Sequence, residues 1–147
     1  MRARRQAYRL AFWVLSAWWF VRRPHKRGVK CVLTDRDRVL LVRHTYGGGE
    51  WELPGGTPKR NEPAREAARR EMREELGLVI DGWSEIGELR VRQYHREDTI
   101  TICHAELSAP TLELDYGELA AAAWFGRDAL PPDRGRHVAA ILARAPR

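Results

Sequence analysis

Residues 56–78, GTPKRNEPAREAARREMREELGL, are the most informative stretch of this chain. Residues 62–76 contain no glycine and are rich in Ala, Glu and Arg, which predicts a helix over that range. Asn61 is a candidate N-cap, Pro63 falls in the first turn, and Gly77 is expected to end the helix as its C-cap. Extended segments are predicted on both sides, so the stretch indicates a domain that combines helix and sheet.

Three glutamates share one face of this predicted helix. Glu71, Glu74 and Glu75 have the i, i+3, i+4 spacing that places carboxylates side by side, where each like-charge pair costs about 0.2–0.5 kcal/mol. A hard divalent cation offsets that repulsion, because Mg²⁺ prefers oxygen ligands. A solvated face whose charges pair with nearby arginines is the alternative, and the helix alone leaves the two open.

The segment before the helix favours the metal site. Pro54-Gly55-Gly56 allows the backbone to come close to a ligand, and a glycine carbonyl is a suitable additional oxygen donor.

With this segment included, the pattern resembles the box that defines the Nudix hydrolase family. The matching positions are Gly56, Glu62, Arg70-Glu71, Met72, Glu74-Glu75, Gly77 and Leu78. Five residues separate Gly56 from Glu62, and seven separate Glu62 from Arg70. One residue separates Met72 from Glu74, and one separates Glu75 from Gly77. Residues 51–55 are similar to the usual entry to that box, and residues 118–125 resemble a late strand of the family.

The resemblance implies a fold and an activity. The expected fold is of the α/β class, an α/β/α sandwich around a mixed β-sheet. The expected reaction is hydrolysis, with Mg²⁺ or Mn²⁺, of the pyrophosphate in a nucleoside diphosphate linked to another moiety. ADP-ribose, dinucleoside polyphosphates, nucleotide sugars and (d)NTPs all remain candidate substrates. A Nudix fold that only senses nucleotides, and a membrane-associated interaction protein, are the alternatives.

The resemblance also assigns roles to individual residues. Glu71, Glu74 and Glu75 would be metal ligands together with the carbonyl of Gly55, and Arg70 would brace the helix by pairing with Glu62. Gly56 and Gly77 complete the box. Glu74 is the first candidate for the carboxylate that activates water, and Glu118 is the second.

Three residues outside the box are candidates for substrate contact. Arg43 could reach a phosphate, and Trp51 or Tyr94 could stack on a base, although surface exposure or core packing would explain each of them equally simply.

The remaining pattern predicts the sheet. Residues 28–34 and 39–44 are expected to form a hairpin, residues 85–94, 99–107 and 120–125 to form further strands, and residues 134–144 to form a final helix. The domain is therefore expected to occupy residues 28–147.

Residues 1–27 differ in composition from the rest of the chain. They hold eight of the 26 basic residues and no acidic residue, so residues 28–147 carry 18 basic and 20 acidic residues, a net charge of −2. Nucleic acid is therefore not expected as a partner. Residues 10–21, LAFWVLSAWWFV, predict an apolar helix that is too short for a simple membrane span.

Two interpretations of this leader remain open. It could lie on a membrane surface, or it could pack on the domain or on a second copy of the chain as a homodimer. Cys31 and Cys103 have no paired spacing, so two buried thiols in a reducing compartment are expected. The predicted location is cytoplasmic, with peripheral attachment to the inner membrane face as an option.

Overall fold

The computed structural model describes residues 25–93 and 96–147. The predicted leader helix and Tyr94 lie outside the described residues. No helix in the described ranges is long and apolar enough to cross a membrane.

A mixed six-stranded sheet forms the centre of the domain. The strands are β1 (Arg27–Asp35), β2 (Arg38–His44), β3 (Gly55–Gly56), β4 (Ser84–Gln93), β5 (Arg96–Glu106) and β6 (Leu119–Gly126). Their order is β4-β5-β1-β2-β6, and β3 pairs with β1. The β1–β5 pair is parallel, whereas β1–β2, β2–β6 and β4–β5 are antiparallel.

Two helices lie on opposite faces of the sheet: α1 (Ala64–Leu76) and α2 (Val138–Leu142). On one face, Ala68, Met72 and Leu76 of α1 pack with Val29 and Leu40 of the sheet. On the other, residues of α2 pack with Val32, Leu41 and Ile102. Alternation along the strands supplies both cores, because successive side chains point to opposite faces. This arrangement confirms the predicted α/β sandwich.

Most helices and strands were predicted correctly from the sequence, but the residues at which they begin and end were predicted less accurately. The β1–β2 hairpin is confirmed, and the three later strands are each extended by one to three residues at an end. The final helix was predicted over 134–144 but covers only Val138–Leu142. The residues before Val138 are not in this helix. Arg134 instead forms an isolated parallel β-bridge with Trp51.

The start of α1 differs from the prediction. The N-cap is Pro63, which has an extended backbone and makes no side-chain capping bond, so Asn61 is not the cap. Asn61 instead adopts φ 61°, within a turn where the Glu62 carboxylate accepts a hydrogen bond from the Lys59 amide at 2.7 Å. The predicted C-cap is confirmed, since Gly77 has φ 67° and its amide binds the Arg73 carbonyl.

Candidate active site

The three box glutamates occupy very different environments on α1. Glu75 is 3% exposed, whereas the side chains of Glu71 and Glu74 are 13% and 55% exposed. The carboxylate face therefore runs from the protein interior to solvent within one turn of helix. A ligand bound at this face would contact the buried Glu75 on one side and would remain accessible to water on the side of Glu74.

Glu75 carries the clearest electrostatic signal of the site. Burial, followed by the charges of Glu71 and Glu118, raises its pKa to about 8. Its Oε2 is buried and has no hydrogen-bond partner among the described residues. A buried acceptor without a partner is unfavourable, so this oxygen is suited to a cation.

Arg70 ties the helix to the segment before it. Its guanidinium donates to both Glu62 oxygens at 2.9 Å, to Glu71 at 2.7 Å, and to the Thr57 carbonyl at 3.3 Å. The hydrogen bond from Arg70 lowers the pKa of Glu62 to about 2, with help from the Lys59 amide. The paired fork geometry positions Glu71 and holds the loop against α1.

The two glycines of β3 are required by close approach. A Cβ on Gly56 would lie 2.3 Å from the carboxyl carbon of Glu71, and a Cβ on Gly55 would lie 2.1 Å from the Val29 carbonyl oxygen. Gly55 also has φ 156°. Because glycine lacks Cβ, β3 pairs with β1 and leaves the Glu71 carboxylate directly above it.

The donor set fits a hard divalent cation. Three carboxylates on one helix face, one with an unpartnered oxygen, are the oxygen ligands that Mg²⁺ and Mn²⁺ prefer. As they stand, however, no group of three or more His, Cys, Asp or Glu within residues 25–93 and 96–147 is close enough to hold a metal ion. Glu71 pairs with Arg70, so binding would require side chains of this face to rotate.

Glu118 lies on the same side of the sheet, just before β6. It is exposed, and its charge contributes to the raised pKa of Glu75. Its carbonyl accepts a hydrogen bond from the Thr45 amide at 2.9 Å. The structure therefore brings both candidate catalytic carboxylates, Glu74 and Glu118, to the region of Glu75.

Arg43 and Trp51, two of the candidate substrate contacts, lie against each other. The Arg43 guanidinium lies 4.6 Å from the centre of the Trp51 ring and forms an ion pair with Asp133. The Trp51 ring also meets Phe125 edge-on, with centroids 4.9 Å apart. Both residues thus form a packed wall on the α2 side of the sheet.

A large cavity of about 550 Å³ opens beside this wall. It is lined by Gly28, Ile100 and Val91 from the sheet, by Glu52 and Thr57, and by basic residues that include Lys26, Arg27, Arg134 and Arg136. Thr57 also connects the cavity to the carboxylate face, because its carbonyl accepts a hydrogen bond from Arg70.

The structure adds residues that the sequence did not single out. Lys30 donates to the Leu53 carbonyl at 3.0 Å and lies 3.7 Å from Glu52, and its charge also acts on Glu75. His44 and Tyr46 stack beside the site. Lys30 stands out in an otherwise apolar strand, and Tyr46 immediately precedes three glycines, so both signals were visible in the sequence.

A protein-family model matches most of this chain. The model described as the NUDIX domain matches residues 24–145.

Curated relatives match over shorter lengths. An ADP-ribose pyrophosphatase of Mycobacterium tuberculosis is 36% identical over 65 residues, which is 44% of this chain and 31% of that protein. An 8-oxo-dGTP diphosphatase of Buchnera aphidicola is 35% identical over 48 residues, which is 33% of this chain and 39% of that protein. The chain thus matches about a third of the length of these relatives.

Solved structures share the fold across most of the chain. The crystal structure of a MutT NUDIX hydrolase from Burkholderia pseudomallei superposes with a TM-score of 0.76 at 21% identity. The match covers 84% of this chain and 99% of that one.

Proposed function

The chain belongs to the Nudix family, and from that premise we propose that it is a Mg²⁺- or Mn²⁺-dependent hydrolase that cleaves the pyrophosphate bond of a nucleoside diphosphate derivative. The observation that carries this proposal is the buried Glu75 oxygen without a partner, within a face of three carboxylates. Such a face is costly without a cation and useful with one.

The residues of the box would divide the work of binding the cation. Glu71, Glu74 and Glu75 would hold it, together with the carbonyl of Gly55. Arg70 keeps Glu71 in place through its bonds to Glu62 and Thr57. A cation held there would supply positive charge to the phosphate oxygens and would lower the pKa of a water bound to it.

The attacking water needs a carboxylate that solvent can reach. Glu74 is 55% exposed on α1 and is the first candidate to orient or deprotonate that water. Glu118, exposed on the loop before β6, is the second. Glu75 is less suited to exchange protons with solvent, because it is buried among like charges.

The large cavity is proposed to receive the nucleoside. Its volume of about 550 Å³ lies in the range of small-molecule sites. Its four lysine and arginine residues outnumber the three acidic ones, Glu50, Glu52 and Asp98, which favours an anionic nucleotide, and Glu52 can accept hydrogen bonds from the N–H groups of a base. The relatives named for ADP-ribose and for 8-oxo-dGTP agree with a nucleotide-type substrate, without choosing between these two compounds.

A substrate screen tests the proposal. The full chain would be incubated with ADP-ribose, diadenosine tetraphosphate, ADP-glucose and dGTP in Mg²⁺, in Mn²⁺ and in excess EDTA, with products separated by chromatography. We expect metal-dependent cleavage of at least one compound to a nucleoside monophosphate. Binding of these compounds without turnover would instead support a nucleotide sensor on the same fold.

A further inference from the structure

Two loops meet beside the carboxylate face on the α1 side of the sheet. Thr45 joins them: its amide donates to the Glu118 carbonyl at 2.9 Å, and its hydroxyl donates to the Gly117 carbonyl at 3.0 Å. The first loop, residues 45–49, follows β2, and the second, residues 115–118, precedes β6. These bonds hold Thr45, the residue just before Tyr46, against the loop that contains Glu118.

Tyr46 presents an aromatic face to solvent at this junction. Its ring stacks on His44 with centroids 5.0 Å apart and an interplanar angle of 30°, yet Tyr46 remains 63% exposed. A single exposed ring in a loop is ordinary by itself, but this one is backed by His44 beside the carboxylate face, where a flat aromatic surface can contact a ligand. The loop after Tyr46 is itself open, because a Cβ on Gly47 or Gly49 would meet no atom within 4 Å.

The charges around Tyr46 restrict what can bind there. The groups that raise the pKa of its phenol, after burial, are the carboxylates Glu118, Glu75 and Glu71. Glu118 lies outside the proposed cation-binding set, so a metal held by that set would not be coordinated by Glu118. The terminal pyrophosphate of a nucleoside triphosphate would be repelled by the Glu118 carboxylate, whereas an uncharged ring would not.

We propose that Tyr46, backed by His44, is a specificity-determining residue that stacks on an uncharged ring on the far side of the cleaved bond from the cavity. The favoured substrates would then be nucleoside diphosphates linked to a sugar or to a second nucleoside. Nucleoside triphosphates, whose far side is pyrophosphate, would be disfavoured. This inference rests on the proposed function and refines it by naming the substrate class.

Binding of non-hydrolysable analogues provides the test. Isothermal titration calorimetry would compare α,β-methylene ADP-ribose, α,β-methylene diadenosine tetraphosphate and α,β-methylene ATP, each with Mg²⁺, on the full-length wild type and on Y46A. Loss of one stacking contact should weaken the first, the second or both by about tenfold. The ATP analogue should change less than about twofold, and comparison of the first two identifies a sugar or a base.

Two further variants separate the ring from other causes. Y46F keeps the ring and should bind all three analogues like the wild type. V79A removes another large exposed side chain, 68% exposed on a different loop, and should have no effect. Thermal unfolding of each variant would show that the fold is retained.

The outcomes distinguish this inference from the proposed function. Equal weakening of all three analogues by Y46A, no weakening of any, or weakening by Y46F as large as by Y46A would overturn the stacking role. Those results would leave hydrolysis in the substrate screen untouched. A wild type that binds none of the analogues and cleaves none of the screened compounds would remove the proposed function, and the inference with it.

Discussion

Among single residues, Glu75 shows how the surroundings of a side chain change its chemical properties. Glu71, Glu74 and Glu75 are indistinguishable in the sequence, yet only Glu75 is fully buried. Burial and the charges of Glu71 and Glu118 raise its pKa to about 8, and its Oε2 lacks a partner within the part of the chain that the structure describes. A bound cation would offset the repulsion among the carboxylates and would give the Glu75 Oε2 a partner.

E75Q therefore tests the metal site without an activity assay. Saturating Mg²⁺ should raise the unfolding temperature of the wild type by several degrees relative to EDTA, because a ligand that binds only the folded state stabilises it. In E75Q we expect Mg²⁺ to produce a rise of less than about 1 °C, since a neutral amide is a weaker ligand. Differential scanning calorimetry measures both, and an equal Mg²⁺ response in the two proteins would contradict the assignment.

E74Q tests the assignment of the water-activating group. We expect kcat to fall by about 10²–10⁴, the usual effect of removing a general base, while the unfolding temperature changes little because Glu74 is largely exposed. E66Q, which alters an exposed glutamate on the same helix, is the matched control. If E74Q keeps wild-type kcat and E118Q loses it, the base is Glu118.

At the scale of the element, the ion pair between Glu62 and Arg70 joins the loop after β3 to α1. Its two hydrogen bonds, both 2.9 Å, tie the residue just before the helix to the body of α1, at an end where Pro63 makes no capping bond. The arginine of the box therefore has a structural task as well as its contact with Glu71.

This pair should make stability depend on pH in acid. The folded-state pKa of Glu62 is about 2, below the ordinary value of 4.5, so its contribution is fully present above about 4.5 and is lost as pH falls towards 2. E62Q should therefore lower the unfolding temperature at pH 7, and the difference from wild type should shrink between pH 4.5 and 2. E88Q, at an exposed position of β4, is the control. A difference that does not vary with pH would show that the pair has no such role.

At the scale of the whole molecule, the two faces of the sheet would divide substrate recognition between them. The large cavity and the Arg43–Trp51 wall lie on the α2 side, while the carboxylate face and Tyr46 lie on the α1 side. The bond to be cleaved would lie where Thr57 and Arg70 connect the two. The cavity and the carboxylate face both lie near the same end of the sheet, where β1 begins and β2 ends.

The basic leader, residues 1–27, leads to a prediction about location. Its apolar segment and the six basic residues between positions 2 and 23 are expected to bind anionic lipid surfaces, whereas Lys26 and Arg27 line the cavity. In vesicle sedimentation, the full chain should pellet with phosphatidylglycerol vesicles, and a 25–147 truncation, which keeps Lys26 and Arg27, should stay in the supernatant. The truncation should first be shown to unfold cooperatively. Equal binding of both proteins would end the membrane interpretation and leave packing on the domain or on a second copy.

Much of this protein follows from the order of its residues alone. Residues 56–78 identified the family, the helix and its C-cap at Gly77, because spacing along a helix and the need for glycine at positive φ are local properties. Alternating apolar residues also located the β1–β2 hairpin and the later strands. Local patterns failed where distant contacts prevailed, as at Asn61 and in the shortened α2.

The differences among the box glutamates, and the residues that join them, arise from the folding of the chain. Exposure of Glu74, burial of Glu75 and the position of Glu118 depend on how α1 packs against the sheet and where β6 begins. Likewise, Arg43 and Trp51 became a packed wall, while Lys30, His44 and Tyr46 were brought to the site by strands and loops far apart in the chain. Burial and charge proximity are properties of the folded molecule, so no spacing rule along the chain could have supplied them.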